Sequence, residues 1–151
     1  MLLQLRQLFN REGDKKEISY DIPLEEFGDH SAYGEFITPV SLNGTVENRA
    51  GVVTLDYTMR FTIRHLCDRC LNEFDREYVL NQDHILVKNT ASDNDEYEYI
   101  VCPDNTLDLN ELAISDLLLQ LPTKVLCNED CKGLCLKCGK DLNYGDCGCC
   151  E

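Results

Sequence analysis

The clearest pattern in the chain is a strict alternation of apolar and polar residues over 53–64, with the apolar side chains at odd positions. A period of two is typical of a β-strand that buries one face. After the sequence CDRC at 67–70, Phe74, Tyr78 and Leu80 again share one parity. We therefore predict two long strands that form a hairpin, with the CDRC at its tip.

Weaker patterns predict the remainder of a sheet. Apolar residues alternate over 18–22 and 40–46, and the stretches 84–88 and 97–101 indicate two further strands. The leucine-rich opening, residues 2–9, fits a short helix or an edge strand equally well. These segments together predict an antiparallel sheet of about five or six strands.

One helix is predicted near 108–121. Asp108 is a suitable N-cap, Glu111 follows three residues later as in a capping box, and Pro122 ends the run. The apolar positions extend more than halfway round the helix, so we expect it to pack on the sheet. The predicted fold class is therefore α+β.

Cysteines dominate the end of the chain, where seven of the ten lie within 127–150. Eight cysteines form close pairs, which are Cys67 with Cys70, Cys127 with Cys131, Cys135 with Cys138, and Cys147 with Cys149. Four thiolates are the ligand set of a tetrahedral structural Zn²⁺. The pairs predict two zinc ions, and residues 127–151 are interpreted as a cysteine-rich zinc knuckle appended to a β-rich domain, residues 1–126.

The order of the pairs suggests how they combine, although spacing alone leaves both the pairing and the metal open. The last two pairs can close on one ion locally, which leaves Cys67 and Cys70 to meet Cys127 and Cys131 across the fold. That second site would fold the tail back onto the 67–70 hairpin tip. Cys102 and Cys150 are left over, and we interpret them as a core thiol and a spare terminal thiol.

The compartment decides between metal and disulfides. The opening MLLQLRQLF has no signal-peptide features, and no apolar run is as long as a membrane span. We therefore expect a cytoplasmic protein with reduced thiols. A redox role for Cys67 and Cys70 is less favoured, because a hairpin tip lacks the helix N-terminus that lowers a thiol pKa in thioredoxin-like sites.

The net charge of the chain indicates which class of macromolecule it can bind. Fourteen basic and twenty-eight acidic residues give a formal net charge of −14, which repels phosphate backbones. Eight acidic residues and no basic residue lie between Lys88 and Lys124, which are Asp93, Asp95, Glu96, Glu98, Asp104, Asp108, Glu111 and Asp116. They form either a solvated surface or a docking surface for a cationic protein. His30 is interpreted as a solvated residue, and His84 as a satisfied core residue.

The motifs together resemble the YceD family, which is named for the accumulation of large-subunit ribosomal RNA. The resemblance rests on CDRCL at 67–71, the helix ending in LQLP, and CKGLCLKCGKDLN at 131–143 followed by CGC. Leu136, where related sequences often have proline, and the doubled Cys149-Cys150 depart from the pattern without removing a proposed ligand. The resemblance implies a non-enzymatic factor for 23S rRNA accumulation and large-subunit assembly.

Three functions are therefore weighed. The first is an assembly factor that binds a basic ribosomal protein or pre-50S particle through an acidic surface, with rRNA contacted indirectly. A variant of it binds rRNA directly through Arg60, Arg64 and Arg69, which lie along one strand and its tip. The others are a dithiol redox protein that uses Cys67 and Cys70, and a zinc store. No nucleophile paired with a base and no phosphate-binding loop is present in the sequence, which agrees with a non-enzymatic role.

Overall fold

The computed structural model describes residues 1–27, 33–89 and 98–149. Its strands and helices are, in chain order, β1 (Leu2–Gln4), α1 (Arg6–Asn10), β2 (Lys15–Ile22), β3 (Glu35–Phe36), β4 (Val40–Arg49), β5 (Val52–Leu66), β6 (Glu73–Val87), β7 (Tyr99–Val101), β8 (Thr106–Asp108) and α2 (Leu109–Gln120). Six strands form one sheet in the order β2-β4-β5-β6-β7, with β3 also paired to β5. β1 and β8 form a separate two-stranded sheet.

The predicted α+β class is confirmed. All pairs in the main sheet are antiparallel except β6 with β7, which run parallel. The predicted helix is α2, and the side chain of Asp108 accepts hydrogen bonds from the backbone N–H groups of Asn110 and Glu111. Within the described ranges, no helix is both long and apolar enough to cross a membrane.

The predicted hairpin is the longest pairing in the molecule. β5 and β6 pair continuously from Val53 with Leu86 to Leu66 with Glu73. The odd residues of β5 are buried and the even ones are not, as the alternation predicts. β4 can pair closely with β5 because Gly44 has no side chain, since a Cβ there would lie 2.4 Å from the carbonyl oxygen of Asp56.

One local prediction was wrong, and one alternative that the sequence left open was resolved. The stretch 84–88 is not a separate strand, because β6 continues unbroken from Glu73 to Val87. Asn81 and Asp83 of the polar run 81–83 lie on the exposed face of β6, so their side chains stay in water and the strand continues through them. The opening residues form both predicted alternatives in turn, β1 and then α1.

The core lies between the inner face of the sheet and α2. Leu109, Ala113 and Leu117 of α2 are fully buried against it. Asp116, predicted to belong to an acidic surface, instead faces this interior, where Nε2 of His84 lies 2.7 Å from Oδ2 and the hydroxyl of Tyr57 donates to the same oxygen. His84 is therefore a hydrogen-bonded residue of the sheet–helix interface, as predicted.

Candidate metal centre

The hairpin tip presents two thiols because of how the turn after β5 closes. The backbone N–H of Cys67 donates to the carbonyl of Asn72 at 2.9 Å, and the N–H of Leu71 donates to the carbonyl of Cys67 at 2.9 Å. Leu71 adopts a left-handed φ of 60°, which lets the chain reverse directly after the second thiol. Cys67 and Cys70 are thereby held close together and almost fully buried.

Hydrogen bonds hold the tail against this tip. The backbone of Asp68 donates to the carbonyl of Val125 at 2.9 Å, and its carboxylate accepts from the N–H of Val125 at 2.6 Å. The guanidinium of Arg69 donates to the carbonyl of Cys131 at 2.9 Å. These bonds place Cys127 and Cys131 beside the two hairpin thiols.

The four sulfurs of this first cluster, Cys67, Cys70, Cys127 and Cys131, all lie within 4.8 Å of one another. The Sγ atoms of Cys67 and Cys131 are 3.7 Å apart, and those of Cys70 and Cys127 are 3.6 Å apart. A disulfide needs about 2.05 Å, whereas four sulfurs at about 2.3 Å from a tetrahedral Zn²⁺ lie about 3.8 Å apart. The spacing therefore fits one ion and excludes a disulfide.

The second cluster consists of Cys135, Cys138, Cys147 and Cys149, whose sulfurs also lie within 4.8 Å of one another. A tight turn holds the first two, since the N–H of Gly139 donates to the carbonyl of Cys135 at 2.9 Å. The backbone N–H of Lys137 points at the sulfur of Cys135 at 3.4 Å, and that of Cys149 points at Cys147 at 3.4 Å. The clusters thus separate as the order of the pairs suggested, and each could hold a metal ion.

The thiol pKa values follow from this arrangement. Burial opposes ionisation of Cys67, but the backbone N–H groups of Cys70, Cys127 and Arg69 outweigh it and lower the pKa to about 6. The N–H groups of Cys138 and Lys137 likewise lower the pKa of Cys135 to about 6.

The partner thiols behave in the opposite way. The adjacent Cys70 raises the pKa of Cys127 to about 12. For Cys138 the N–H of Lys140 favours the thiolate, but its contacts with other thiols, Cys149 first, prevail and raise the pKa to about 11. Each cluster therefore stabilises one thiolate and resists a second, and a divalent cation bound there would supply the charge that lets all four ionise.

Comparison with known proteins identifies the family. A sequence profile described as large ribosomal RNA subunit accumulation protein YceD matches residues 55–151. The chain belongs to the YceD family. The match includes nearly all of the β5–β6 hairpin, α2 and both clusters, so the candidate metal centre lies within the matched region.

One curated relative of this YceD-family chain is an uncharacterized protein of Mycobacterium leprae. It is 26% identical over 113 residues, which is 72% of this chain and 51% of the relative. The chain therefore spans about half the length of the curated relative that it matches. No solved structure matches the chain.

Three residues near the sulfurs of this YceD-family chain were missed by sequence reasoning. The side-chain amide of Asn143 donates to the sulfur of Cys131 at 3.3 Å, and that of Asn72 lies 3.5 Å from the sulfur of Cys70. Asn72 also donates to the carboxylate of Asp141 at 2.6 Å. Asp141 and Asn143 belong to the loop of the second cluster, so that loop supports the ligands of the first. Their only sequence signal is their place in the KDLN that follows the CxxC.

The remaining cysteines lie outside both clusters. Cys102 is fully buried, and burial raises its pKa to about 11, as expected for a core thiol. Cys150 lies outside the described residues, as does His30. All nine cysteines within the described residues are free of disulfides.

Proposed function

We propose that this YceD-family chain is a non-enzymatic cytoplasmic factor for 23S rRNA accumulation and large ribosomal subunit assembly. The observation that carries this proposal is the family match over the hairpin, α2 and both cysteine clusters. A metal bound by four thiolates has no open position for a substrate, so its role in either cluster is structural.

The ion we propose for both clusters is Zn²⁺, because tetrahedral four-thiolate sites are its usual structural environment. The first ion links the tail to the hairpin, and the second stabilises the folded end of the tail. Elemental analysis of the purified chain should find about two zinc ions per molecule. A chain that carries iron, or that folds with disulfides and no metal, would contradict the zinc assignment.

The partner we propose is a basic large-subunit ribosomal protein, met free or within a pre-50S particle. The outer face of the sheet supports this choice because carboxylates outnumber cations there. Its exposed carboxylates are Glu17, Asp21, Glu35, Asp56, Glu73, Asp75, Glu77 and Asp83, and its exposed cations are Lys15, Arg49, Arg60 and Arg64. A negative surface of this kind attracts cationic proteins and repels nucleic acid.

The structure describes only part of the acidic surface predicted from sequence. Asp116 faces the core, and Asp93, Asp95 and Glu96 lie outside the described residues. The remaining predicted carboxylates are exposed, and they are Glu98, Asp104, Asp108 and Glu111. Among the residues described, the densest exposed carboxylates lie on β6. We therefore place the proposed protein contact on the outer face of β6.

Direct rRNA binding through the predicted arginines has less support. Arg64 forms a two-pronged ion pair with Asp75 at 2.9 and 3.3 Å, and Arg69 is bound to the carbonyl of Cys131. Of the three, only Arg60 forms no ion pair or side-chain hydrogen bond with another described residue. Two of the three guanidiniums are therefore already engaged within the fold.

The proposal is tested by co-sedimentation of the chain with large-subunit precursors. The precursors come from cells that lack the native chain, and the experiment is done at two salt concentrations. Glu73→Lys, Glu77→Lys and Asp83→Lys together should weaken association and flatten its salt dependence. Glu12→Lys, Glu25→Lys and Glu129→Lys give the same change in net charge at exposed glutamates outside the sheet, so they are the matched control. Accumulation of 23S rRNA is scored in parallel.

The opposite pattern would favour direct RNA recognition. If Arg60→Ala abolishes association while the β6 variant retains it, the partner proposed here is wrong. If the unaltered chain fails to sediment with the precursors at either salt concentration, the assembly role itself is contradicted.

A further inference from the structure

Within the described residues, one edge of β6 has no backbone partner over most of its length. β6 pairs with β5 along one edge, but β7 covers the other edge only from Ile85 to Val87. Among the described residues, no backbone or side-chain hydrogen bond reaches the second edge between Glu73 and His84. A free edge longer than a typical strand of five or six residues, as this one is, invites pairing with another chain.

The hydrogen bonds of the hairpin fix which residues face this edge. The N–H of Cys67 donates to the carbonyl of Asn72, so this opposed pair is of the hydrogen-bonded type. Such pairs alternate along an antiparallel ladder, so the even residues of β6 bond to β5 and the odd residues point away from it. The bond from Cys102 N–H to the carbonyl of Val87, an odd residue on the β7 side, agrees with this assignment.

Four of the six residues that offer free backbone groups along this edge are acidic. The odd residues of β6 along the free edge are Glu73, Asp75, Glu77, Val79, Asn81 and Asp83, and all of them are exposed. The intervening side chains of Phe74, Tyr78 and Leu80 are half-buried on the inner face. Arg76 and Gln82 lie on the same face, and the guanidinium of Arg76 is bound to the carbonyl of Leu126 at 2.7 Å. An added strand would therefore meet carboxylates on one face, with Asp75 already paired to Arg64, and mainly apolar side chains on the other.

The side chains along this edge of β6 determine which kind of strand can pair with it. Two copies of β6 would bring carboxylates directly opposite one another, which destabilises a strand pair, whereas lysine or arginine opposite them stabilises it. Nucleic acid offers phosphates to the same carboxylates and is repelled. The edge of β2 offers no such selection, since Lys15 and Lys16 stand beside Glu17 and Asp21.

We propose that an extended basic segment of the partner protein adds to β6 as a further strand, between Glu73 and Asp83. Its lysine or arginine side chains take alternate positions beside the carboxylates, and its apolar side chains lie along Phe74, Tyr78 and Leu80. Main-chain hydrogen bonds supply affinity in this mode, and the alternating side chains supply specificity. The inference rests on the proposed function in that the partner is the basic ribosomal protein.

The test uses the zinc-loaded full chain and a short synthetic peptide that alternates lysine with valine. On binding, the amides of Glu77, Val79 and Asn81 should gain protection from hydrogen exchange. The amides of Tyr78 and Leu80 already bond to β5 and should change little. A second peptide with the same sequence, N-methylated at alternate amides, keeps its charge but cannot pair as a strand, so it should give no protection.

A proline variant tests the same edge from the protein side. Val79→Pro removes one outward N–H without removing a bond to β5, and we expect about tenfold weaker peptide binding, which corresponds to roughly one hydrogen bond. Ser19→Pro is the matched control. The N–H of Asn48 donates to the carbonyl of Asp14, so in the β2–β4 register the even residues of β2 bond to β4 and the N–H of Ser19 faces the outer edge. Zinc content and the amide spectrum of each variant check that the fold is intact.

The outcomes separate this inference from the proposed function. If the N-methylated peptide binds as well as the plain one, or if the odd amides gain no protection, strand addition is wrong. Should Glu73→Lys, Glu77→Lys and Asp83→Lys still abolish co-sedimentation in that case, the acidic contact and the proposed function stand without it. If an RNA oligonucleotide instead protects these amides, both the strand addition and the protein partner are overturned.

Discussion

The two cysteine clusters each offer four thiols, but the first links distant parts of the fold and the second is formed within one short stretch. The first joins the hairpin tip to the tail, and its closest sulfurs belong to residues 57 and 64 positions apart. The second is closed within one stretch, from Cys135 to Cys149. In the first cluster Cys127 is the most exposed ligand, while in the second both Cys138 and Cys149 are exposed.

This difference predicts different contributions to stability. In the chain-entropy treatment, a cross-link across about sixty residues stabilises the fold by ~4 kcal/mol, and one across about fifteen residues by ~3 kcal/mol. The first cluster also forms only when the sheet is folded, so its metal affinity includes folding free energy. The second can form with little help from the sheet.

The clusters are nevertheless connected by polar contacts. Asn143, from the loop of the second cluster, donates to Cys131 of the first, and its side-chain oxygen accepts from the N–H of Lys132 at 2.9 Å. Gly133 lies between the clusters with a φ of +76°, and a Cβ there would come within 3.2 Å of the backbone oxygen of Arg69. The segment between the clusters therefore packs closely against Arg69, and Asn143 joins the two clusters by hydrogen bonds.

The largest effect is expected when the first cluster is removed. Cys67→Ser with Cys70→Ser should lower the zinc content from about two to about one per chain and release the tail from the hairpin. The free energy of unfolding should fall more than for any other pair of ligands, because two hydroxyls replace buried ligands and the long-range link is lost. Chemical denaturation, limited proteolysis and elemental analysis measure these three changes. A tail that stays protected would contradict the comparison.

Removal of the second cluster should have a smaller effect. Cys135→Ser with Cys138→Ser should also reduce the zinc content to about one per chain, while the sheet persists. Far-ultraviolet circular dichroism and the unfolding midpoint are the measurements. Loss of stability as large as in the first variant would mean that the second cluster is as coupled to the sheet as the first.

The rate of metal loss should distinguish the clusters in the unaltered chain. A chelator should remove zinc in two phases, and the faster phase should belong to the exposed second cluster. A difference of about 1.4 kcal/mol in local opening gives roughly a tenfold ratio of rates. The variant without Cys135 and Cys138 should keep only the slow phase, and retention of the fast phase would assign it to the other cluster.

The smallest expected effect tests the connection. Asn143→Ala removes the donor to Cys131 and should weaken metal binding at the first cluster by about tenfold, at the low end for loss of a supporting contact. Tyr144→Ala changes an exposed neighbour in the same loop and is the control. Competition with a chromophoric chelator measures both affinities. If Asn143→Ala weakens metal binding only at the second cluster, the contact of Asn143 with Cys131 does not support the first cluster.

Much of this molecule could be predicted without coordinates. The alternation over 53–64 predicted β5, because a half-buried strand needs a period of two, and Asp108 with Pro122 bounded α2 through its capping chemistry. The eight paired cysteines were found from spacing alone. Sequence patterns were sufficient wherever the structure depends on residues close together in the chain.

Other features depended on contacts between distant residues. The sequence could not tell that β6 runs unbroken through 81–83, because the burial of each face is set by β5 beside it. Asp116 looked like a surface carboxylate until the sheet placed His84 and Tyr57 against it. The open edge of β6 is likewise a property of strand order, which no local pattern encodes.

The sequence by itself thus determined the chemical groups of the protein: the thiols, the carboxylates and the periods that form strands and helix. Tertiary structure decided which of them meet. Three hydrogen bonds of Asp68 and Arg69 bring Cys127 and Cys131 to the hairpin. The physical reason is that ligand spacing fixes which thiols can share an ion locally, whereas a site assembled across the chain exists only after the backbone around it has folded.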